Sequence, residues 1–185
     1  MPESSELVGP FPGGKNPVEY DKIRRRVFWT IPSGLFLIGS RSAERRNLMC
    51  ANWLTQVARE PKLLAVSIER HAHTHDLIHT GRCFAVSILD RADRGVVRRF
   101  VTPATDDRHA MTLNGEAYVD AEVSGAPVLA AAIAWLDCAV EREVDFATHT
   151  LFVGEVVDAG FSTDVDRVAS HEVLRMEDTK MHYGG

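Results

Sequence analysis

A cluster of histidines is the first feature of this sequence that could carry chemistry. Four of the eight histidines, His71, His73, His75 and His79, fall within the ten residues "RHAHTHDLIH". An extended chain would place the first three on one face, whereas a helix would place His75 and His79 one turn apart. Either arrangement could supply zinc ligands, but both cannot hold over the same residues, and no common zinc spacing is present. We predict no metal here, and a zinc hydrolase stays an alternative.

A second interpretation treats the same stretch as a strand-to-helix turn that binds an anion. The segment "LLAVSIER" is typical of a strand and "THDLIH" of a helix start, with Thr74 as its expected cap and Gly81 at its end. The first turn of a helix has unpaired amide donors. Together with the Thr74 hydroxyl and nearby imidazoles, these amides would suit a phosphate group. A solvated polar loop is the alternative.

Short apolar segments separated by turn residues surround this stretch. Besides "LLAVSIE", strands are predicted in "SGLFLIGS", "LMCANWLTQVA", "CFAVSIL", "EAYVDAEVSGAPVL" and, as a long pair, "AAIAWLDCAVEREVDFATHTLFVGEVVDAGF". Short helices are predicted in "PVEYDKIRRRVFWTIP" and "THDLIHTG", and "DRADRGVVRRFVT" has the charge order that a helix dipole favours. Because the strands do not alternate with long helices, we expect a mainly β fold built as an antiparallel barrel.

Composition limits the classes of partner. The chain has 185 residues and a net charge of −5, which suits one domain and disfavours nucleic acid. No apolar run could span a membrane, no secretory signal is visible, and the three cysteines lack a CxxC pair, so we expect a cytoplasmic protein with reduced thiols. Residues 1–20, rich in Pro, Gly and Ser, predict a flexible arm before a single domain over 21–185.

Four segments, in their order along the chain, resemble the flavin reductase-like, FMN-binding split-barrel family. They are "IPSGLFLIGS", "NLMCANWLTQVAREPKLLAVSIE", "HTHDLIHTGRCFAVSIL" and "HTLFVGEVVDA", and the resemblance runs from about Ile31 to Phe161. It implies an antiparallel split β-barrel of six to seven strands with a few short helices. It also implies a homodimer with FMN in a groove near the subunit interface. Members reduce flavin with NADH or NADPH, and many supply the reduced flavin to a separate monooxygenase.

The resemblance further implies which residues hold the flavin. Residues 49–53, "MCANW", match the segment that lines the flavin ring and ribityl chain, with Cys50 where members commonly have Thr or Ser. His149 matches a histidine close to the flavin and the nicotinamide, where it would act in catalysis by orienting the nicotinamide or donating to the reduced flavin. The implied cofactor-binding residues are Met49, Cys50, Ala51, Asn52, Trp53, Ser67, His73, Thr74, His75 and Ser87.

Several of these residues also have purely structural interpretations. Trp53 could be a core residue, Ser87 a satisfied serine of the barrel, and His149 a surface residue of a hairpin. Asn52 is harder to explain in this way, because a buried amide needs partners.

The sequence thus predicts an NAD(P)H:flavin oxidoreductase that uses FMN, with FAD possible. A flavin- or haem-binding module without turnover is the alternative, because a fold does not fix a function. No GxGxxG follows a strand, so nicotinamide binding is not expected to be of the Rossmann type. The choice between NADH and NADPH stays open: the basic "RSAERR" could meet a 2′-phosphate or could be a solvated turn.

Overall fold

Strands dominate the part of the chain that the computed structural model describes, which is residue 13 and residues 16–162, 172–179 and 181. The α-helices within it are α1 (Pro17–Phe28) and α2 (His73–Gly81), and three short 3-10 helices cover Arg91–Asp93, Val96–Phe100 and Met176–Asp178. The strands are β1 (Phe36–Ser42), β2 (Arg45–Ala51), β3 (Leu54–Ala58), β4 (Leu63–Glu69), β5 (Cys83–Ile88), β6 (Asp106–Asp107), β7 (Thr112–Leu113), β8 (Glu116–Asp120), β9 (Pro127–Leu129), β10 (Ala134–Asp145) and β11 (His149–Phe161).

Seven strands form one antiparallel sheet in the order β2-β1-β5-β10-β11-β4-β3. Its two edge strands are consecutive in the chain, since β2 ends at Ala51 and β3 begins at Leu54. Because only Asn52 and Trp53 join these edges, the sheet has to curl until they approach each other. The predicted mainly β fold, an antiparallel split barrel of six to seven strands with a few short helices, is confirmed.

Two apolar clusters fill the two faces of this curled sheet. One cluster, which includes Phe84 and Phe152, lies within the curl, and the side chains of both residues are fully buried. The other, which includes Phe100 and Leu174, lies between the outer face of β1, β2 and β5 and a second, four-stranded sheet of β6 to β9. The second cluster holds the loop that follows Phe100 against the end of β2, which bears on the site described below.

Most predicted elements are found, and one differs in kind. The segment "DRADRGVVRRFVT" forms two 3-10 helices, Arg91–Asp93 and Val96–Phe100, instead of one longer helix. Gly95 and the β-branched pair Val96 and Val97 have low α-helix propensity, which explains the break. None of the described helices has both the length and the apolar character needed to cross a membrane.

The first described helix begins within the predicted N-terminal arm. The predicted arm ended at residue 20, but α1 already begins at Pro17, where the Asn16 side chain accepts hydrogen bonds from the first-turn amides of Val18 and Glu19. Residues 1–12, 14 and 15 lie outside the described part. The arm and the single domain over 21–185 therefore stay predictions.

The last residue of α2, Gly81, has no room for a side chain because the backbone of β1 comes too close. A Cβ added there would lie 1.8 Å from the Arg41 carbonyl oxygen. We expect Gly81→Ala to lower the free energy of unfolding by about 3 kcal/mol, because a backbone contact cannot relax easily. Urea denaturation measures this.

The matched control for this change is Gly95→Ala. No heavy atom lies within 4 Å of an added Cβ at Gly95, and its φ is −71°. Its free energy of unfolding should stay within about 0.5 kcal/mol of the wild-type value. Equal losses in the two variants would contradict the proposed close approach.

Candidate functional site

A cavity of about 470 Å³ opens between the end of β2, the end of β4, the start of α2 and the loop Phe100–Pro103. Nine of the sequence-predicted residues line it. They are Met49, Cys50, Ala51, Asn52, Trp53, Ser67, His73, Thr74 and His149. The structure therefore brings together segments that are up to 100 residues apart in the chain, from Met49 to His149.

Two predicted residues lie elsewhere. Ser87 is fully buried on β5, where its hydroxyl accepts a hydrogen bond from the Leu129 amide at 3.0 Å, as in the structural interpretation of that serine. The His75 ring turns away from the cavity, and its Nε2 lies 2.9 Å from the Thr150 hydroxyl, which donates to Asp145. One residue along a helix rotates a side chain by about 100°, which separates His75 from Thr74.

Side-chain alternation along β2 decides which atoms can face a ligand. Ala51 and Met49 pack with the cluster inside the curl, whereas Leu48 and Cys50 belong to the outer cluster. Because successive side chains point to opposite faces of a strand, the Cys50 thiol takes part in core packing. Any contact of Cys50 with a bound ring would therefore come from its backbone.

The start of α2 differs in detail from the expected cap. Ala72 occupies the N-cap position without a side-chain hydrogen bond, and Thr74 lies inside the first turn. The prediction of Thr74 as the helix cap is therefore wrong, because the cap is Ala72, two residues earlier, and the helix begins at His73. The amides of a first helical turn have no partner within the helix, and both His73 and Thr74 line the cavity.

Asn47 is a cavity residue that sequence reasoning missed. Its side chain is 2% exposed, its Nδ2 donates to the Thr74 hydroxyl oxygen at 2.8 Å, and its Oδ1 accepts from the Ala104 amide at 2.8 Å. It thus ties β2 and α2 to the chain that follows the loop Phe100–Pro103. The available signal was a polar amide inside the strand "RRNLMCA", where an unpaired amide would be costly.

Trp53 and His149 both line the cavity, and their rings lie against each other. Their ring centroids are 4.9 Å apart, and the Trp53 side chain is 43% exposed, so this tryptophan is not a core residue. The His149 Nδ1 lies 2.8 Å from the Thr148 hydroxyl. That contact occupies one ring nitrogen and leaves Nε2 for a ligand.

The four clustered histidines do not converge. His71 and His73 line the cavity, His75 contacts Thr150, and the His79 Nδ1 lies 2.7 Å from a Glu143 carboxylate oxygen. Within the described residues, no group of three or more His, Cys, Asp or Glu side chains could hold a metal ion. The zinc hydrolase alternative has no ligand set in this part of the chain.

The three cysteines are free and buried. Burial raises the pKa of the Cys83 thiol and raises that of Cys138 to about 12. Both thiols therefore remain protonated at neutral pH, so neither is suited to act as a nucleophile.

The basic turn "RSAERR" offers less free charge than its sequence indicates. The Arg46 guanidinium makes two hydrogen bonds to the Asp120 carboxylate, at 2.9 and 3.0 Å, and the Arg41 Nε donates to the Ser124 carbonyl at 2.6 Å. Asp120 raises the pKa of Arg46 through these hydrogen bonds. Both side chains are thus engaged within the fold.

A second cavity, of about 600 Å³, shares Asn52 and Trp53 with the first. Its remaining walls come from the end of α1, residues 30–33 and the 3-10 helix Met176–Asp178 with its flanks. The link between β2 and β3, which consists of Asn52 and Trp53, therefore lies between the 470 Å³ cavity and the 600 Å³ cavity.

Residues 28–180 match the profile of the family described as flavin reductase like domain. Since this stretch covers most of the 185 residues, the chain belongs to that family. It is similar to the NADH-dependent FAD reductase of Streptomyces globisporus, with 33% identity over 139 residues, which are 73% of each chain.

Solved structures of the same fold agree with this assignment. The NADH:FAD oxidoreductase of Streptomyces globisporus superposes with a TM-score of 0.71 and 28% identity, covering 91% of this chain and 90% of that chain. The styrene monooxygenase flavin reductase of Pseudomonas putida gives a TM-score of 0.63 and 27% identity, covering 74% and 86%.

Proposed function

We propose that this protein is an NAD(P)H:flavin oxidoreductase whose 470 Å³ cavity binds the FMN unit that FMN and FAD share. The observation that carries this proposal is that two unlike groups of residues line one cavity. One group is His73 and Thr74 at the start of α2, where a hydroxyl and helix amides suit a phosphate. The other group is Trp53, Asn52 and His149, which suit a flat polar heterocycle and its reaction partner.

The residues proposed to hold the heterocycle fit a flavin ring. Residues 49–53 line the cavity, and backbone amides of this segment that face a bound ring would stabilise negative charge on its pyrimidine edge. Asn52 makes one long side-chain contact, 3.3 Å from Nδ2 to the Ser33 hydroxyl, so its carboxamide can also reach a ligand. When bound, the flavin supplies the ring that accepts a hydride, and the protein supplies position and electrostatics.

His149 is proposed as the residue that orients the reduced nicotinamide. Its Nδ1 is held by Thr148, which fixes the ring plane beside Trp53. Its Nε2 can then bind the nicotinamide carboxamide or donate towards developing negative charge. The neighbouring 600 Å³ cavity leaves room for the rest of the dinucleotide.

FMN is the proposed cofactor, with FAD possible. The donors at the start of α2 recognise a phosphate that both molecules contain, which supports either one. The Streptomyces relative is named for FAD and NADH. Dissociation constants for FMN, FAD and riboflavin would rank the three.

A monooxygenase that receives reduced flavin is the proposed partner. One structural relative is named as the flavin reductase of styrene monooxygenase, which supports such a pairing. We also propose a cytoplasmic location, which the three free cysteines support, since disulfides are rare in that compartment.

We further propose a homodimer in which α1 contributes to the interface. No residue of α1 is buried, and Val27, Phe28 and the following Ile31 are each about 60% exposed. Phe28→Glu should weaken the dimer about thirtyfold or more, because a buried aromatic contact commonly dominates an interface. Sedimentation equilibrium measures the constant.

Lys22→Glu is the control for this variant, since Lys22 is an exposed polar residue of the same helix. It should leave the dimerisation constant within threefold of wild type. A wild-type protein that stays monomeric at high micromolar concentration would contradict the dimer. An unchanged constant in Phe28→Glu would contradict the role of α1.

Turnover with free flavin tests the enzyme against the binding-module alternative. Purified protein mixed with catalytic FMN and excess NADH or NADPH in air should deplete the nicotinamide absorbance band. The rate should exceed that of FMN alone and should be proportional to protein concentration. A yellow protein without turnover would favour the binding module, and a haem spectrum in the purified protein would favour a haem carrier.

A further inference from the structure

Among the described residues, the Thr74 hydroxyl proton has no acceptor. Thr74 is 0% exposed, and its oxygen already accepts the hydrogen bond from Asn47. A threonine hydroxyl within a helix commonly donates to the carbonyl four residues earlier, as Thr80 of the same helix does to Asp76 at 2.6 Å. Thr74 lies in the first turn and has no helical carbonyl four residues before it.

The direction of the hydrogen bonds around Asn47 is set by a backbone group. The Ala104 amide can only donate, so the Asn47 atom that faces it at 2.8 Å must be the carbonyl oxygen Oδ1. The Asn47 NH2 group therefore faces Thr74 and can only donate. Consequently the Thr74 hydroxyl has to act as acceptor towards Asn47, and its own proton points elsewhere.

We infer that Asn47 is a positioning residue that turns the Thr74 hydroxyl into a dedicated donor for the flavin phosphate. Asn47 and Thr74 are both lining residues of the cavity, and His73, the first residue of α2, lines it as well. The terminal oxygens of a phosphate monoester act almost entirely as hydrogen-bond acceptors at neutral pH. A hydroxyl group that is forced to donate therefore matches the phosphate. This inference rests on the proposed flavin-binding function.

Asn47→Asp is the sharpest test because it keeps the shape and replaces the NH2 group by an acceptor. The Ala104 amide keeps its partner, whereas Thr74 would donate to the new carboxylate and be lost to the phosphate. The proposed measurement is the ratio of the dissociation constants of riboflavin and FMN, by fluorescence titration of the full chain. We expect FMN to bind about a hundredfold more weakly, and riboflavin to change less than threefold.

Variants of Thr74 distinguish the effect of losing the hydroxyl donor on FMN binding from the effect of the negative charge that Asn47→Asp introduces. Thr74→Val should weaken FMN about tenfold, and Thr74→Ser should restore the preference for FMN. In a Thr74→Val background, Asn47→Asp should cost FMN less than it does in the wild-type background. An equal cost in both backgrounds would mean that Asn47 acts by charge alone and would overturn the inference.

Two further outcomes would also overturn it. Equal losses for riboflavin and FMN in Asn47→Asp would make Asn47 a general support of the cavity. A changed ratio of kcat/KM for NADPH over NADH, with an unchanged FMN preference, would assign the anion site to the nicotinamide substrate. Failure of the wild-type protein to bind riboflavin or FMN would instead refute the proposed function itself.

Discussion

His149→Ala is expected to lower kcat for nicotinamide oxidation about a hundredfold, with less than a threefold change in the dissociation constant of FMN. The His149 ring contacts Trp53 and the Thr148 hydroxyl and takes no part in the Asn47–Thr74 hydrogen bond, so flavin affinity should persist. The loss arises because a single positioned donor at a reacting group is commonly worth two or more orders of magnitude. Stopped-flow reduction of the FMN-loaded protein measures the rate.

Two variants make this result specific. His149→Gln keeps a donor of similar reach and should recover part of the rate. His79→Ala removes an exposed histidine that contacts Glu143 outside the cavity, and should leave kcat within twofold. A His149→Ala protein with wild-type kcat would contradict the assigned role, and a parallel loss of FMN affinity would make His149 a flavin-binding residue instead.

Ser67→Trp is expected to raise the dissociation constant of FMN at least a hundredfold while the fold is kept. Ser67 lines the cavity, and its amide donates to the Trp53 carbonyl at 3.0 Å, next to the proposed ring site. Its neighbours Val66 and Ile68 fill the interior of the curl, so the Ser67 side chain faces away from that interior. An indole would therefore occupy ligand space without overpacking the interior of the curl. Fluorescence titration with FMN measures the constant.

Thr55→Trp is the matched control, because Thr55 is exposed on the neighbouring strand β3, opposite Ala65, and does not line the cavity. It should bind FMN as the wild type does. Urea denaturation should give Ser67→Trp and Thr55→Trp similar midpoints. Retained FMN binding in Ser67→Trp would place the flavin elsewhere.

The strands could be predicted from the sequence because the signal for each of them is local. Alternation in "LLAVSIE" and the apolar run "SGLFLIGS" specify β4 and β1 without knowledge of their partners. The break of the helix after β5 was harder to foresee, since charge order favoured a helix whereas Gly95 and two valines opposed it. Because these weak propensities oppose each other, tertiary contacts decide which secondary structure the segment adopts.

The anion-binding turn around Thr74 was predicted from local sequence, whereas most of the other site residues were predicted only from the family resemblance. Trp53 and His149 came from the resemblance, and the structure places their rings 4.9 Å apart. Asn47 was missed because its role depends on Ala104 and Thr74, which lie 57 and 27 residues away. His75 and Ser87 were misplaced because a motif cannot tell which way one residue of a helix or strand points.

The proposed function requires a flavin that lies in the cavity between the start of α2 and Trp53. A crystal structure of the FMN complex tests this most directly. We expect the phosphate oxygens within about 3 Å of the Thr74 hydroxyl and the first amides of α2, with the ring beside Trp53 and His149. A flavin bound with its phosphate beside Trp53, or in the 600 Å³ cavity alone, would contradict the account.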